Sequence, residues 1–354
     1  LIWWKRPKAE ASGLNEQFFG AFRAGVRYAR ASRELHVVLL RAAVFFLFAS
    51  SVWALLPLVA RRMLGGTAGF YGVMLGAVGA GAILGAVLLP QLRKRLNTDG
   101  LVLLASLVTA AVMGVLALAP PQWAALALML VLGLGWIVAL TTFNGVAQAV
   151  LPNWVRGRGL AIYLMVFNGA MAAGSLGWGL VAGQLGLPTT LLVGAAGLVA
   201  VSFLFHRVKL PAGEADLQPS NHWPEPLLTE PVAHDRGPVM VQIEYRIRRE
   251  DLPAFFQAMQ HVAQERRRDG AYAWGVAEHT GEPGRVIEWF LVESWAEHLR
   301  QHGRVSKADA DLQAEALRYH QGPDRPVVHH FLALDARSAK APSAGHDHGH
   351  GHAH

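Results

Sequence analysis

Residues 100–119 read GLVLLASLVTAAVMGVLALA, twenty consecutive residues without a charged side chain. A helix needs roughly 20 apolar residues to cross the hydrocarbon core of a bilayer. Five further stretches of similar character lie in the same part of the chain, at 36–60, 63–90, 123–149, 159–185 and 187–205. A water-soluble helix keeps one polar face, and these stretches do not show one. The pattern predicts a polytopic membrane protein whose partner is the lipid bilayer.

The composition of the 354-residue chain excludes several other classes of protein. Apolar residues make up 53% and charged residues 16%, and the charges collect at the ends and in a few loops. The net charge of +7 therefore fits membrane topology, and we predict no binding of nucleic acid. The chain contains no cysteine, which excludes a disulfide framework and a cysteine-ligated metal site. We predict no cofactor and no resident metal ion.

The distribution of basic residues predicts the orientation of the chain. Arginine and lysine in short loops mark the cytoplasmic side of a membrane. They occur before the first span and after the second, fourth and sixth spans, whereas the turns at 120–122 and 186–188 carry no charge. Only Arg61 and Arg62, after the first span, break the alternation. The chain is therefore predicted to cross the inner membrane six times with both ends in the cytoplasm.

Two features precede the first span. The opening residues, Leu1-Ile2-Trp3-Trp4-Lys5-Arg6, have the character of the last turn of a membrane helix at its interface. We therefore expect the chain to be the C-terminal part of a longer protein. Residues 14–33 form an amphipathic pattern, with arginines opposite Leu14, Phe18 and Phe22. This segment is either a helix on the membrane surface or a helical connection between two bundles.

Small and polar residues inside the spans indicate packing and function. Glycines that recur in the second and fifth spans let membrane helices approach closely, and the predicted packing positions are Gly72, Gly76, Gly81, Gly85, Gly169 and Gly177. Polar groups are costly in lipid and usually face a cavity. The predicted cavity-lining residues are Arg41, Trp53, Asn144, Gln148 and Asn168. For Arg41 the alternative is a side chain that reaches the cytoplasmic interface.

Two loops then point to a family. The loop LPNWVRGRGLA at 151–161 resembles the loop between helices ten and eleven of major facilitator superfamily transporters. The second span, ending in QLRKR at 91–95, looks like the second-half copy of the superfamily signature between helices eight and nine. The resemblance covers residues 1 to about 209. Within the superfamily, the chain resembles the branch that includes enterobactin-exporter-like permeases.

The resemblance implies a role for each part of the bundle. The six spans correspond to helices seven to twelve, and residues 1–4 to the end of helix six. The gating loops contain Arg93, Arg95, Arg156 and Arg158, for which the alternative is simple anchoring at the cytoplasmic surface. Alternating access needs two bundles around one site. We therefore expect a missing N-terminal six-helix bundle, supplied by the same protein or by a second copy.

The remainder of the chain has a different character. A proline-rich segment at 210–237 predicts a semi-rigid linker. Alternating apolar residues from Val239 to Ile247, a helical pattern, two more strands, further helices and a last strand follow, in the ferredoxin-like order βαββαβ. This part resembles the dimeric α/β-barrel group of antibiotic-biosynthesis-monooxygenase-like proteins. A histidine-rich tail ends the chain, and its composition predicts disorder.

Several roles are open for this second part. Trp274, Trp289, His298 and His302 could line one pocket, and the two histidines are spaced four apart as metal ligands can be. A packed helix capped by Ser294 is the alternative, and we favour a binding or dimerisation module over an enzyme. The tail could buffer metal ions or merely be solvated.

The predicted architecture is an all-α bundle of six transmembrane helices, half of a major facilitator fold, followed by a small α+β domain. The predicted parts are 1–34 (interfacial segment), 35–209 (bundle), 210–237 (linker), 238–335 (ferredoxin-like domain) and 336–354 (tail). The predicted function is proton-coupled efflux of a small organic molecule, drug-like or siderophore-like. The alternative is a membrane-anchored domain that binds a small molecule or acts as a monooxygenase.

Overall fold

The computed structural model describes residues 18–211, 216–218, 220, 223, 232–322 and 324–334. The chain divides into two compact units, a helical one up to residue 219, with Ser306–Ala308 also assigned to it, and an α/β one from Ser220 onward. The predictions for residues 1–4, for most of the proline-rich linker and for the histidine-rich tail lie outside the described residues.

Within the described residues, the helical unit contains seven helices. They are α1 (Phe18–Ala31), α2 (Arg33–Leu58), α3 (Ala68–Arg95), α4 (Thr98–Leu116), α5 (Gln122–Ala149), α6 (Arg156–Leu185) and α7 (Leu187–Phe205). A π-helical turn, Val59–Met63, extends α2 beyond Pro57. Helices α2 to α7 are long and apolar enough to cross a membrane, which confirms the six predicted spans.

Side chains of the sequence determine where three of these helices begin. Ser32, Thr67 and Asn97 precede α2, α3 and α4, and each accepts a hydrogen bond from the backbone N–H three residues later. Such a cap satisfies an N–H that has no partner within the helix. The boundaries between spans are therefore encoded locally.

Close approaches between helices depend on particular glycines. A Cβ atom on Gly81 would lie 1.9 Å from the carbonyl oxygen of Leu130, and one on Gly133 would lie 2.0 Å from that of Val78. These two glycines bring α3 and α5 into backbone contact. Gly174 does the same for α6 against α2, where an added Cβ would meet the Ser50 hydroxyl at 2.0 Å. In lipid there is little hydrophobic driving force between helices, and small residues instead allow close van der Waals contact between them.

The predicted packing glycines fall into two groups. Gly81 and Gly85 approach α5. A Cβ added to Gly72, Gly76, Gly169 or Gly177 would meet no atom of the described residues within 4 Å, so the packing role of these four stays a prediction. Their positions leave open, small-residue surfaces on α3 and α6.

The α/β unit is a four-stranded antiparallel sheet with helices. Its elements are β1 (Val239–Arg246), α8 (Leu252–Asp269), β2 (Ala273–Glu278), β3 (Arg285–Val292), α9 (Trp295–Arg304), α10 (Lys307–Leu317) and β4 (Val327–Leu332). The strands lie in the order β2-β3-β1-β4. This order, with the element sequence βαββααβ, confirms a ferredoxin-like fold with the second helical segment divided in two.

The register of the sheet separates its two faces. Val241, Tyr245 and Phe290 are buried on the face that packs against α8. Trp274 pairs with Phe290 and shares that face, whereas Trp289 pairs with Gly275 and lies on the other. Because successive residues of a strand point to opposite sides, the two tryptophans cannot line one pocket. That prediction is corrected. The predicted cap is confirmed, since the Ser294 hydroxyl accepts the N–H of Glu297 at 3.3 Å.

We expect Gly81→Ala to lower the free energy of unfolding of the bundle by about 1–3 kcal/mol, because its methyl group would overlap the Leu130 carbonyl. Gly76→Ala is the matched control on the same helix. Its Cβ meets open space, so the free energy should stay the same or rise by up to about 1 kcal/mol. Unfolding in a detergent series, followed by helical circular dichroism, measures both. Equal effects of the two substitutions would contradict the packing described.

Candidate functional site

A buried ion pair joins three parts of the helical unit. The Nη1 of Arg41, on α2, donates to Oδ1 of Asp99 in the first turn of α4. The same Nη1 donates to the carbonyl of Val208 at 3.1 Å, and the N–H of Leu210 donates to Asp99 Oδ1 at 3.2 Å. The side chains of Arg41 and Asp99 are only 4% and 10% exposed. The pair therefore holds the starts of α2 and α4 against the segment that follows α7.

This contact corrects the prediction for Arg41. Its guanidinium lies inside the bundle on a carboxylate, so it does not line a cavity among the described residues. Its partners lie at the start of α4 and directly after α7. A buried charge is tolerated when a partner of opposite charge and further hydrogen bonds satisfy it. Asp99 lies one residue before the predicted third span, so a search for polar residues inside the spans does not find it. The Asn97 cap places it in the first turn of α4, where the helix dipole favours an anion.

An aromatic cluster joins α2, α5 and α6. It consists of Phe45, Phe46, Trp53, Trp136, Phe143 and Phe167. Phe46 lies at its centre, with ring centroids 4.5 Å from Phe167, 5.4 Å from Trp136 and 5.8 Å from Phe143. Of these six residues the sequence predicted only Trp53. The other five lie within apolar runs, where the sequence alone does not show which aromatic residues contact one another.

Trp53 carries an unsatisfied polar group. Its ring meets that of Trp136 edge-on, with centroids 4.9 Å apart. Its indole N–H is buried and has no hydrogen-bond partner among the described residues. A buried donor of this kind usually finds an acceptor, from protein, water or ligand. The edge of the aromatic cluster at Trp53 thus offers a hydrogen-bond donor beside apolar surface.

The predicted polar residues lie on the outside of this bundle. Asn144 and Gln148 of α5 and Asn168 of α6 are exposed. Asn144 adjoins Phe143 and Asn168 adjoins Phe167, which both contact Phe46. Asn168 donates to the Leu164 carbonyl at 2.8 Å, so part of its amide is satisfied by its own helix. Exposed amides at membrane depth are costly against lipid, which favours contact with water or protein.

The predicted gating arginines lie at one end of the bundle, where α3 and α5 finish and α4 and α6 begin. Arg93 and Arg95 are exposed. Arg156 donates through Nε to the Leu151 carbonyl at 3.3 Å, and the side chain of Arg158 packs against Gly25 of α1. Helix α1 is held to the same loop, because the Tyr28 hydroxyl donates to the Val150 carbonyl at 2.9 Å. Helix α1 therefore packs against the α5–α6 loop, and both interpretations of the segment before the first span stay open.

A polar network fills the space between sheet and helices in the α/β unit. Glu288 of β3 is completely buried and accepts hydrogen bonds from Arg266 at 3.0 Å, Trp274 at 3.0 Å and Tyr245 at 3.1 Å. The guanidinium carbon of Arg266 lies 5.0 Å from the centre of the Phe290 ring. This network occupies the position that the predicted pocket around Trp274 would need.

Three acidic residues lie beside that network. Glu265, Asp269 and Asp309 place carboxylate oxygens within 4.8 Å of one another. Arg268 donates to Asp269 at 3.0 Å and to Asp309 at 2.6 Å, so a guanidinium already neutralises two of the three. Burial raises the pKa of Glu265 to about 8, with Asp309 and Asp269 adding to the effect. Glu265 is therefore a neutral acid at physiological pH, which suits it poorly to bind a cation.

Comparisons with known proteins add the following. A family model described as "Transmembrane secretion effector" matches residues 1–339. No curated protein matches the chain. A solved structure described as an antibiotic biosynthesis monooxygenase from Caulobacter crescentus CB15 covers 29% of this chain and 94% of its own, with 16% identity and a TM-score of 0.25. The ferredoxin-like fold therefore rests on the strand order of this chain itself.

We expect Arg41→Met or Asp99→Leu alone to lower the free energy of unfolding of the bundle by about 3–5 kcal/mol, since each leaves one charge buried without its partner. The double variant should recover most of that loss. Arg61→Met, which removes an exposed arginine near the end of α2, is the control. Detergent-series unfolding gives the four values. Additive losses in the double variant would show that the two charges do not interact.

We expect Glu265→Gln to change how the α/β unit responds to pH. The pKa of Glu265 is higher in the folded protein than in the unfolded chain, so its contribution to stability is present at low pH and is lost as the pH rises toward 8. The variant should abolish that loss, whereas exposed Glu315→Gln should not. Protection of β1 and β3 amides, compared with the parent at each pH, measures it. A constant ratio of protection from pH 5 to 9 would contradict the assignment.

Proposed function

Because the chain belongs to the transmembrane secretion effector family of major facilitator transporters, we propose that it exports a small organic molecule by alternating access, driven by protons. The substrate is drug-like or siderophore-like, that is, partly aromatic with hydrogen-bonding groups. The observation that carries the proposal is the exposure of Asn144 and Asn168 directly beside the aromatic cluster.

The chemistry of this region fits such a substrate. Ligand sites are mostly apolar, with a few polar groups that fix orientation. The aromatic cluster supplies apolar surface, Trp53 supplies an N–H donor, and the amides of Asn144 and Gln148 can both donate and accept. An amide exposed to lipid would be costly, so a water-filled pathway along α5 and α6 explains their presence.

The open glycines support a second bundle as the partner. Gly72 and Gly76 leave a small-residue surface on α3, and Gly169 and Gly177 leave one on α6. Surfaces of this kind allow another helix to come close and to slide as two bundles rock. The second bundle is either another part of the same protein or a second copy of this chain.

The arginines at one end of the bundle are proposed to act in gating. Arg93 and Arg95 are exposed and can pair with carboxylates or helix C-termini of the second bundle in one access state. Arg156 and Arg158 are bound to the α5–α6 loop and to α1, so they would transmit a movement of that loop. The positive charge at this end supports the proposal that this end lies in the cytoplasm and the protein in the inner membrane.

The α/β unit is proposed to be a dimerisation or binding module rather than an enzyme. Its helix-covered face is filled by the Glu288–Arg266 network. Its other face presents apolar side chains, including Phe331, which is 45% exposed, and Trp289. A second copy of this unit could cover that surface, and the module would then link two transporters.

We expect cells that produce the protein to accumulate less ethidium or less of a catecholate such as 2,3-dihydroxybenzoylserine than cells without it. A protonophore should remove the difference. The double variant Asn144→Leu, Gln148→Leu should remove it as well, while Leu107→Ile on the exposed face of α4 should not. Fluorescence and absorbance of the retained compound measure the effect. Equal accumulation of both compounds with and without the protein would count against export.

We also expect Gly177→Trp to stop transport without unfolding the bundle. A Cβ at this position meets open space within the described residues, and the large ring beyond it would block a second bundle. Leu107→Trp, at another exposed position, is the matched control and should transport normally. Transport by Gly177→Trp at the parent rate would show that α6 has no partner there.

A further inference from the structure

Three histidines of the α/β unit lie together, and the ring of Trp223 lies between His302 and Arg266 of the network around Glu288. His298 and His302 are one turn apart on α9, and their Nε2 atoms are 3.4 Å from each other. The ring of His330, on the edge strand β4, has its centroid 4.7 Å from that of His298. The rings thus come from two elements that are distant in sequence and meet at one place.

The separation of the two Nε2 atoms is that of ligands on one metal ion. Zinc binds imidazole nitrogen at about 2.0–2.1 Å in tetrahedral geometry, which puts two such nitrogens about 3.3–3.4 Å apart. Without an ion, the same two nitrogens lie within hydrogen-bond distance of each other. Two histidines four apart on one helix face are also a recurrent zinc-binding arrangement.

His298 is 1% exposed, so the lone pair of its Nε2 is shielded from bulk water by the surrounding protein. A metal ion binds imidazole in its neutral form.

The surroundings of His298 include a group that can orient it. Its Nδ1 is buried without a hydrogen-bond partner among the described residues, and so are both amide atoms of the adjacent Gln301. Gln301 is completely buried. A metal on Nε2 would keep the proton on Nδ1, which the Gln301 oxygen could then accept after a small rotation. Ligating histidines almost always have such an outer partner.

We propose that His298 and His302, with His330 as third ligand, bind one borderline transition-metal ion such as Zn²⁺. The ion joins α9 to the edge strand β4, and water fills the fourth position. His302 and His330 are half-buried, and the ring of Trp223 packs on His302 with centroids 5.2 Å apart. His330 closes the site by a change of side-chain rotamer, because its nitrogens lie beyond ligand distance in the present arrangement.

The test uses the full chain with the five tail histidines, His346, His348, His350, His352 and His354, replaced by asparagine, so that the tail cannot compete. Titration of this parent in detergent with Zn²⁺, by calorimetry, and with Co²⁺, by visible absorption, should show one bound ion. His302→Gln should weaken binding by at least about tenfold, since even outer partners of a ligand contribute about 10–100-fold. His261→Gln, an exposed histidine on α8, should bind as the parent does.

Two further measurements keep the test decisive. Zn²⁺ should raise the melting temperature of the parent and of His261→Gln but not that of His302→Gln. If His302→Gln does not give folded protein, His330→Gln on the edge strand takes its place, with the same expected loss. Absence of binding in the parent, or unchanged affinity in the folded site variant, overturns the proposal.

Discussion

A helix that crosses a bilayer must satisfy its backbone N–H and C=O groups internally, because the hydrocarbon offers no hydrogen-bond partner. The side chains of the bundle obey the same constraint. The hydroxyls of Ser50, Thr141, Thr190 and Ser202 donate back to carbonyls three or four residues earlier in their own helices. Arg41 and Asp99 satisfy each other and the chain after α7. These groups are satisfied within the bundle, whereas the hydroxyls of Thr109, Thr142 and Tyr163 have no hydrogen-bond partner among the described residues.

A few polar groups of the bundle lie beside the aromatic cluster, and the proposed function depends on them. The amides of Asn144 and Gln148 are exposed, and the Trp53 N–H has no partner in the part of the chain that the structure describes. Each lies on or beside the helices that form the aromatic cluster. Polar groups are costly against lipid, and the proposed substrate pathway shared with a second bundle would give them a polar environment. The glycines of α3 and α6 that meet open space also favour a second bundle, because they leave room for another helix to come close.

The large features of the fold could be predicted from the sequence because they are local. Span length, caps such as Ser32 and Ser294, and strand alternation all depend on neighbouring residues. What could not be predicted depends on partners far along the chain. The partner of Arg41 is 58 positions away, and nothing in its own span distinguishes it from an interfacial arginine. Likewise, the alternation of each strand is visible in the sequence, but whether Trp274 and Trp289 share a face depends on strand register.

The glycines of the spans also differ in whether a neighbouring helix approaches them. Gly76 and Gly81 belong to one helix and one pattern, yet only Gly81 meets α5. Spacing shows that a helix can be approached closely, but not by which neighbour. Gly81 therefore packs helices inside the bundle, whereas Gly76 belongs to the surface that is proposed to meet a second bundle.

The central claim is that the side of the bundle carrying Asn168 faces a water-filled pathway rather than lipid. The chain has no cysteine, so single cysteines can be placed without background. The most direct measurement is the labelling rate of Asn168→Cys and Leu107→Cys, in membranes, by a water-soluble maleimide that does not enter lipid. The account predicts that Asn168→Cys reacts about tenfold faster or more, because only that position is reached by water. Equal, slow labelling of both cysteines would place Asn168 in lipid and contradict it.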